Sequence, residues 1–570
     1  PGLAHPMAWT AEDMQNLIGK AKDYNIEIIP MIATIGHMES ILTIPGYRHL
    51  RAAGTDDHLD TALPEARQFM RDLLEELCSI FDSRYVHLAG DECPYLGHDS
   101  QETVVKYAEF MNFMSDILNK HGKQGVIWAD MIEKYPELLD KLSKDLVLTV
   151  WKYHPVDNHP VTLPDEFMRA GFNTAVAPGI LADEPFLPTT ERLTRNLPFL
   201  SRKSGLWGVI NCMWEPRTQT LPVARLGIAI AGACAWNPFA VKPEKLIGQA
   251  SRFSYGGDIS ELYRLLEGGK FFDMMVRTKF AFYHSFELSC NNPLLHLAEA
   301  ESPDWQRLSS MIDAGMHELE KSRPLFDRHP GDFKSFYACG TLAKCLADCV
   351  VILNRAGTLV QNGIKRRFSE ISDQIRLLTA FMAETLSAQR AAWDVSRKPD
   401  DPNFDYWFKA PLLYKIKSLN TFADLLDGLP GNSSGQLALP ELNYFLFEFN
   451  KGNAESWNLL RVKIFYSDCA TRWEQVFFKT IPLWMDDSLS LKLMPHDGKL
   501  PDYVKIVPIY STWHRSDNNW SDMIKVSCGK ISMRPNELHT GNISSALDIY
   551  RISVDPASGE ITLSSRKIGL

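Results

Sequence analysis

Two adjacent carboxylates at the end of an apolar run are the most chemically suggestive feature of this chain. The run is His87-Leu88-Ala89-Gly90, and it delivers Asp91 and Glu92 side by side. Neighbouring acids are costly to bury unpaired, so they either face water or share a polar pocket in which one holds a proton while the other stays charged. A pair of the second kind can do acid/base work. Taken alone, an Asp-Glu dipeptide is more often a solvated loop. This one has company: Trp128-Ala129-Asp130, Trp151-Lys152-Tyr153 and Trp214-Glu215 each close another apolar run. Their rings offer flat apolar faces with a polar tip, suited to walling a pocket, although any single tryptophan is more often core. Asp130 and Glu215 are candidate ligand-holding carboxylates, with a solvated loop position as the alternative for each. His37, after Gly36, is either part of the site or a turn histidine with a local hydrogen bond; His87 reads as mainly structural.

These positions imply the elements that hold them. Short β-rich runs at Glu27–Ala33, Tyr85–Gly90, Gly125–Asp130, Leu146–Trp151, Thr174–Gly179 and Trp207–Trp214 alternate with helical patterns such as Pro64–Phe81 and Glu102–His121. Thr10 with Asp13 three residues on predicts a capping box at the first helix. Alternating β and α units predict a parallel sheet, and functional groups at the C-terminal ends of several strands predict a barrel. A barrel of this kind closes with eight strands, and six are countable. The expected fold is therefore α/β, a (β/α)8 TIM-type barrel lacking its first two strands, over residues 1–250. Residues 251–430 turn amphipathic and helical, with long stretches at Trp305–Phe326, Phe336–Asn362 and Phe368–Trp393. The turn-rich segment Leu429-Pro-Gly-Asn-Ser-Ser-Gly435 reads as a linker. After it, period-two runs at Asn443–Phe449, Leu460–Tyr466, Gln475–Thr480, Tyr503–Ile509, Met523–Ser527 and Ala546–Val554 predict a β-sandwich over residues 438–570.

Bulk properties narrow the function. At 570 residues the chain exceeds one hydrophobic core, and roughly 150 residues per domain suggests about three domains. A net charge of -10, with no dense Lys/Arg run, leaves no footprint for nucleic acid. The longest apolar stretches, around Leu226–Trp236 and Leu342–Leu353, fall short of the ~20 residues a bilayer demands and read as buried helices, so no membrane span is expected. The 10 cysteines are scattered without a CxxC pair or a metal-like cluster, so free buried thiols are expected, which leans towards a reducing, cytoplasmic setting. No cofactor motif is present, and oligomeric state is not legible.

The ordered motifs resemble the family 20 glycoside hydrolases, whose fingerprint His-x-Gly-Gly-Asp-Glu ends the fourth barrel strand. The closer resemblance is to the hexosaminidase D-like branch. It rests on His5-Pro6-Met7-Ala8, Ile29-Pro30, Ile35-Gly36-His37-Met38-Glu39, Tyr47-Arg48-His49-Leu50-Arg51, Asp91-Glu92-Cys93-Pro94-Tyr95-Leu96-Gly97, Trp128-Ala129-Asp130-Met131, Trp151-Lys152-Tyr153 and Met213-Trp214, over residues 1–240. The resemblance implies a glycan or amino-sugar substrate and removal of terminal β-linked N-acetylhexosamine, with the substrate's own acetamide as nucleophile. It makes Glu92 the acid and then the base, Asp91 the anion that orients the acetamide, and His37 a hydrogen-bond partner of the acid. Trp128, Trp151 and Trp214 become sugar-stacking walls, Tyr153 a hydroxyl for the acetamide oxygen, and Asp130 and Glu215 holders of sugar hydroxyls.

The chain departs from the pattern in three places. Ala89 replaces the fingerprint's first glycine, a change a barrel strand should tolerate, and Lys152 stands where relatives often have Asp. The arginine that the family's first strand normally brings has no counterpart. Because an open barrel edge exposes unpaired backbone groups, two strands carrying an Arg and an Asp are expected upstream of Pro1, the alternative being a degenerate fold. Two rival readings remain: a retaining glycosidase with Glu215 as enzyme nucleophile, and a non-catalytic glycan-binding protein suggested by the incomplete barrel and by Trp473, Trp484, Trp513 and Trp520.

Overall fold

Five of the six apolar runs supply the strands of a single parallel sheet, and the first, Glu27–Ala33, meets it through one bridge. The structure, a computed structural model, describes residues 8–267 and 304–428 apart from short connections, among them 154–161, 182–186 and 215–220, and beyond these the strands between 442 and 566. Strands β1 (Tyr85–His87), β2 (Gln124–Trp128), β3 (Val147–Lys152), β4 (Asn173–Leu181) and β5 (Gly208–Val209) pair successively, and β6 (Cys212–Met213) adds to the far end of β4. All of these pairings are parallel. Parallel neighbours need crossovers. Ser100–Lys120 provides one between β1 and β2, and Leu163–Arg169 another between β3 and β4. The run Glu27–Ala33 is reduced to one parallel bridge, Met31 with His87, flanked by hydrogen bonds from Ile32 N–H to His87 O and from His87 N–H to Pro30 O, both 2.9 Å. Pro30 has no N–H to give, which removes one donor from this pairing. The run Trp207–Trp214 is divided between β5 and β6.

The sheet is strongly curled. Tyr85 on β1 and Trp207 beside β5 would stand about 19 Å apart across four strand spacings of a flat sheet, yet their ring centroids are 5.0 Å apart. Inward-facing side chains therefore meet in layers, as in the wall of a TIM-type α/β barrel. The lower layer joins Tyr85, Val126, Val147, Ala175 and Trp207; the upper joins Ala89, Trp128, Ala177 and Cys212 with Trp151 and Tyr153. A second, outer core of Leu74, Val86, Tyr107, Met111 and Leu148 packs the helices onto the convex face. The capping box forms as expected: Thr10 Oγ1 accepts from Asp13 N–H at 3.1 Å and Asp13 Oδ2 accepts from Thr10 N–H at 2.8 Å.

Helices Asp304–Lys321, Pro330–Gln361, Phe368–Ser396 and Ala410–Gly428 follow. One hydrophobic cluster runs from Ile180, Leu193, Leu226 and Ile230 into Phe336, Ile375 and Phe422, so these helices share a core with the last part of the parallel sheet. A polar tie crosses the same junction. Arg225 forms an ion pair with Asp332, which also accepts from the Tyr255 hydroxyl at 2.9 Å. The segment Pro330–Ile352 is long and apolar enough to cross a bilayer, but 72% of that window is buried within the protein, as a central helix of this bundle requires.

Between 442 and 566 the chain forms two antiparallel sheets. The first orders Ser488–Leu493, Leu442–Asn450, Ile524–Ile531 and Leu538–Asn542; the second orders Ile561–Arg566, Ile549–Val554, Tyr503–Ser511, Leu459–Ser467 and Glu474–Pro482. Ser488–Leu493, Leu538–Asn542 and Ile561–Arg566 went unread in the sequence.

Candidate active site

The backbone leaving β1 is bent in a way that L-residues resist. Ala89, Gly90 and Glu92 have φ of 51°, 80° and 53°, and His37 on the neighbouring loop has 57°. A non-glycine residue in this left-handed region costs about 1–2 kcal/mol, so three such residues in one place need strong anchors. Tyr107 provides one, its hydroxyl donating to Gly90 O at 2.8 Å from the helix behind the sheet. Asp130 provides a second: its Oδ2 accepts from Glu92 N–H at 2.8 Å, a hydrogen bond of the class that contributes about 0.5–1.5 kcal/mol. His87 Nδ1 accepts from Ala89 N–H at 3.1 Å. Ala89 is thus not the simple strand replacement the sequence suggested. It occupies a conformation that the pattern's glycine adopts freely.

Close approach also explains Gly36. A Cβ there would lie 2.8 Å from the Asp91 carbonyl oxygen, so only glycine lets this loop lie directly on residues 91 and 92. The result is that His37 Nε2 reaches Asp91 Oδ2 at 3.3 Å and Glu92 Oε2 at 3.2 Å. One nitrogen bridges both carboxylates, which therefore converge instead of splaying apart. Desolvation works against a charged imidazole here, but the hydrogen bonds and charges of Asp91 and Glu92 outweigh it and hold the His37 pKa well above its ordinary value. Burial, reinforced by the negative charges of Asp91 and Glu92, pushes the Asp130 carboxyl up. Burial pushes His87 the other way, down to about 4, so it is neutral and keeps its hydrogen bond to Ala89.

An aromatic wall continues from these groups. Trp151 Nε1 lies 3.4 Å from Asp130 Oδ1, and its ring stacks on Tyr153 with centroids 5.0 Å apart and planes 22° from parallel. Tyr153 meets Trp214 at 6.4 Å, Trp214 meets Trp128 at 6.1 Å, and Trp128 meets His87 at 4.4 Å. Nine sequence candidates, His37, His87, Asp91, Glu92, Trp128, Asp130, Trp151, Tyr153 and Trp214, are thereby linked into one constellation at the C-terminal ends of the strands. Glu215 lies outside the described residues. Within the wall Trp128 is only 2% exposed and forms its floor, whereas Trp214 is 42% exposed and offers a free face. Burial drives the pKa of the Tyr153 hydroxyl far up. Lys152 turns away to pair with Glu133 at 2.7 Å.

Several supporting residues carried no sequence signal. Tyr107 is one of many buried residues along the helix Ser100–Lys120. Arg192 and Asn196 come from a π-helical turn, Arg192–Asn196, after β4. Arg192 donates to Tyr153 O, while Asn196 Nδ2 donates to Lys152 O at 3.0 Å and to Tyr153 O at 3.1 Å, fixing the end of β3. Only the π-turn geometry, often found near functional sites, flags them. Among the described residues no group of three or more His, Cys, Asp or Glu is arranged to hold a metal ion.

Residues 4–178 match the family model for the glycosyl hydrolase family 20 catalytic domain. The chain is 30% identical over 164 residues to the lacto-N-biosidase of Bifidobacterium bifidum, covering 25% of this chain and 14% of that protein. It is 24% identical over 231 residues to the beta-hexosaminidase subunit alpha of Mus musculus, covering 36% of this chain and 43% of that protein. The chain thus spans less than half the length of either curated relative. Among solved structures, the exo beta-N-acetylglucosaminidase of Vibrio harveyi in complex with N-acetylglucosamine is 20% identical, with a TM-score of 0.33, over 43% of this chain and 45% of that one. The chitobiase of Flavobacterium johnsoniae is 15% identical, with a TM-score of 0.34, over 74% of this chain and 69% of that one.

Proposed function

We propose that this chain, whose residues 4–178 belong to the family 20 glycoside hydrolases, is an exo-acting β-N-acetylhexosaminidase working by substrate-assisted hydrolysis. The observation that carries the reading is the convergence of Asp91 and Glu92 on His37 Nε2, at 3.3 and 3.2 Å, beside the wall of Trp128, Trp151, Tyr153 and Trp214. Two acids on one nitrogen hold complementary roles. Glu92 protonates the glycosidic oxygen as the bond to the anomeric carbon breaks. The substrate's acetamide oxygen closes onto that carbon and forms an oxazolinium ion. Asp91 stays anionic, accepts from the acetamide N–H and stabilises the developing positive charge. Glu92 then takes a proton from the water that opens the ring, so the anomeric configuration is retained. His37 keeps both carboxylates in register. Trp214 stacks on the sugar face, Trp128 and Trp151 enclose the acetamide with the Tyr153 hydroxyl nearby, and Glu215 holds a sugar hydroxyl.

Asp130, the third nearby carboxylate, is not free to act as an enzyme nucleophile, because its two oxygens are occupied by Glu92 N–H and Trp151 Nε1. The same reading makes 1–250 the catalytic unit, 251–430 a helical packing partner, and the two sheets within 438–570 a β-sandwich.

Hydrolysis of p-nitrophenyl β-GlcNAc and β-GalNAc by wild type, Glu92→Gln and Asp91→Asn tests it. A lost general acid costs about 10²–10⁴-fold in turnover. An acetamido-derived thiazoline should inhibit tightly, while 2-deoxy-2-fluoro glycosides should not trap the enzyme. Trapping by the fluoro glycoside would move the assignment to a covalent enzyme with its own nucleophile, and turnover of neither sugar would leave a glycan-binding protein.

A further inference from the structure

We infer that Asp130 is the positioning residue of the general acid, and not a holder of sugar hydroxyls. The inference rests on the reading of Glu92 as that acid. Asp130 opens the short helix Asp130–Lys134 directly after β2, so its backbone is fixed by the sheet on one side and by a helical turn on the other. From that rigid base its carboxylate faces two N–H groups belonging to two different strand ends. Oδ2 accepts from the Glu92 backbone at 2.8 Å, and Oδ1 faces the Trp151 indole at 3.4 Å.

The first contact decides where Glu92 points. Glu92 has a φ of 53°, a conformation a glutamate leaves readily unless something holds its amide. A return to ordinary negative φ would swing the side chain away from His37 Nε2, which it now meets at 3.2 Å. The second contact sets the plane of Trp151, and through their stacking at 5.0 Å the plane of Tyr153. One carboxylate thus keeps the proton donor in register with the wall that receives the sugar. Both tasks need an acceptor at each oxygen. Asparagine supplies one acceptor and turns an N–H against a second N–H, so the closest isostere cannot replace Asp130.

Two measurements test the assignment. In crystal structures, Glu92 should keep its left-handed φ and its contact with His37 in the wild type and lose both in Asp130→Asn; an unchanged Glu92 in the variant overturns the proposal whether or not the protein hydrolyses anything. In kinetics, Asp130→Asn should slow N-acetylglucosaminides with poor leaving groups by about 10²-fold, the typical effect of a misplaced catalytic group. Dinitrophenyl N-acetylglucosaminide, whose leaving group needs no proton, should slow by less than about fivefold, because acid catalysis is the step removed. Equal losses on both substrates would make Asp130 merely structural. Trp151→Phe, which removes only the indole donor, should raise the thiazoline inhibition constant several-fold while leaving the leaving-group dependence at its wild-type slope, and a slope changed as in Asp130→Asn would also overturn the division of labour. If wild type hydrolyses neither substrate, the functional reading fails, and the conformation of Glu92 still decides the positioning claim.

Discussion

Adding one methyl group at Gly36 tests whether the loop at residues 35–38 aims His37 at the carboxylates. The new Cβ would sit 2.8 Å from the Asp91 carbonyl oxygen and 3.7 Å from that of Glu92. Carbon and oxygen are comfortable from about 3.3 Å, so one segment must withdraw by roughly 0.5 Å. Neither yields easily. Ile35 and Met38 are 0% and 1% exposed, and bonds from Leu59 N–H to Ile35 O at 2.8 Å and from Met38 N–H to Asp57 O at 2.9 Å pin the loop from behind. Forced overpacking of this kind costs about 1–3 kcal/mol. If the loop moves, the 3.2 and 3.3 Å contacts of His37 stretch beyond hydrogen-bonding length, and a misplacement of that order costs up to about 10²-fold in turnover. Denaturation followed by tryptophan fluorescence, together with kcat on p-nitrophenyl β-GlcNAc, reads both effects. Gly19→Ala is the control, because it meets nothing within 4 Å and lies in a helix, where alanine adds about 1 kcal/mol. A Gly36→Ala protein with unfolding free energy within about 0.5 kcal/mol of wild type and undiminished kcat would refute the argument that close approach at residue 36 places His37.

Four further outcomes are expected from the same structure. His37 has its folded pKa raised, so its ion pairs stabilise the protein fully below about pH 6.5 and that contribution is lost as pH rises through the folded value. Wild type should therefore exceed His37→Gln in stability most at acidic pH, and a gap that is flat or widens with pH would contradict the charge assignment. Tyr107→Phe strips the 2.8 Å bond from the Gly90 carbonyl and should cost about 1–2 kcal/mol in denaturation, a neutral result meaning that the bend has other anchors. Ala89→Gly relieves about 1–2 kcal/mol of backbone strain but loses about 0.8 kcal/mol of methyl burial and about 0.5–1 kcal/mol of chain entropy. It should fall within about 1 kcal/mol of wild type with kcat unchanged. Arg225→Leu leaves Asp332, 3% exposed, with the Tyr255 hydroxyl as its remaining charge-state support. It should destabilise by about 2 kcal/mol, less than the ~3–5 of a fully buried pair because Arg225 is itself 41% exposed; no change would show that this tie contributes nothing to the junction.

The alternation of β-rich and amphipathic runs determined the parallel strands, because a strand buried on both faces must be apolar throughout and a helix flanking it must be apolar on one side. Tryptophans and acids placed immediately after those runs determined which end of the sheet carries the candidate site, and Asp91-Glu92 with its neighbours was legible for the same reason. Pro30 and the short β5 and β6 show where that logic weakens. A run reduced to one bridge and a strand broken between two ladders carry the same residue types as a continuous strand, and only pairing tells them apart. Tertiary structure alone decided that Tyr85 and Trp207 face each other across a curled sheet, that His37 Nε2 lies between two carboxylates, and that Asp130 holds a backbone amide and an indole. Each of these joins residues far apart in the chain through distances of a few ångströms, and residue type constrains what a group can bond without saying what it meets. The left-handed backbone at His37, Ala89 and Glu92 was invisible for a related reason: none of the three is glycine, so the strain is recorded only in the geometry of the contacts that hold it.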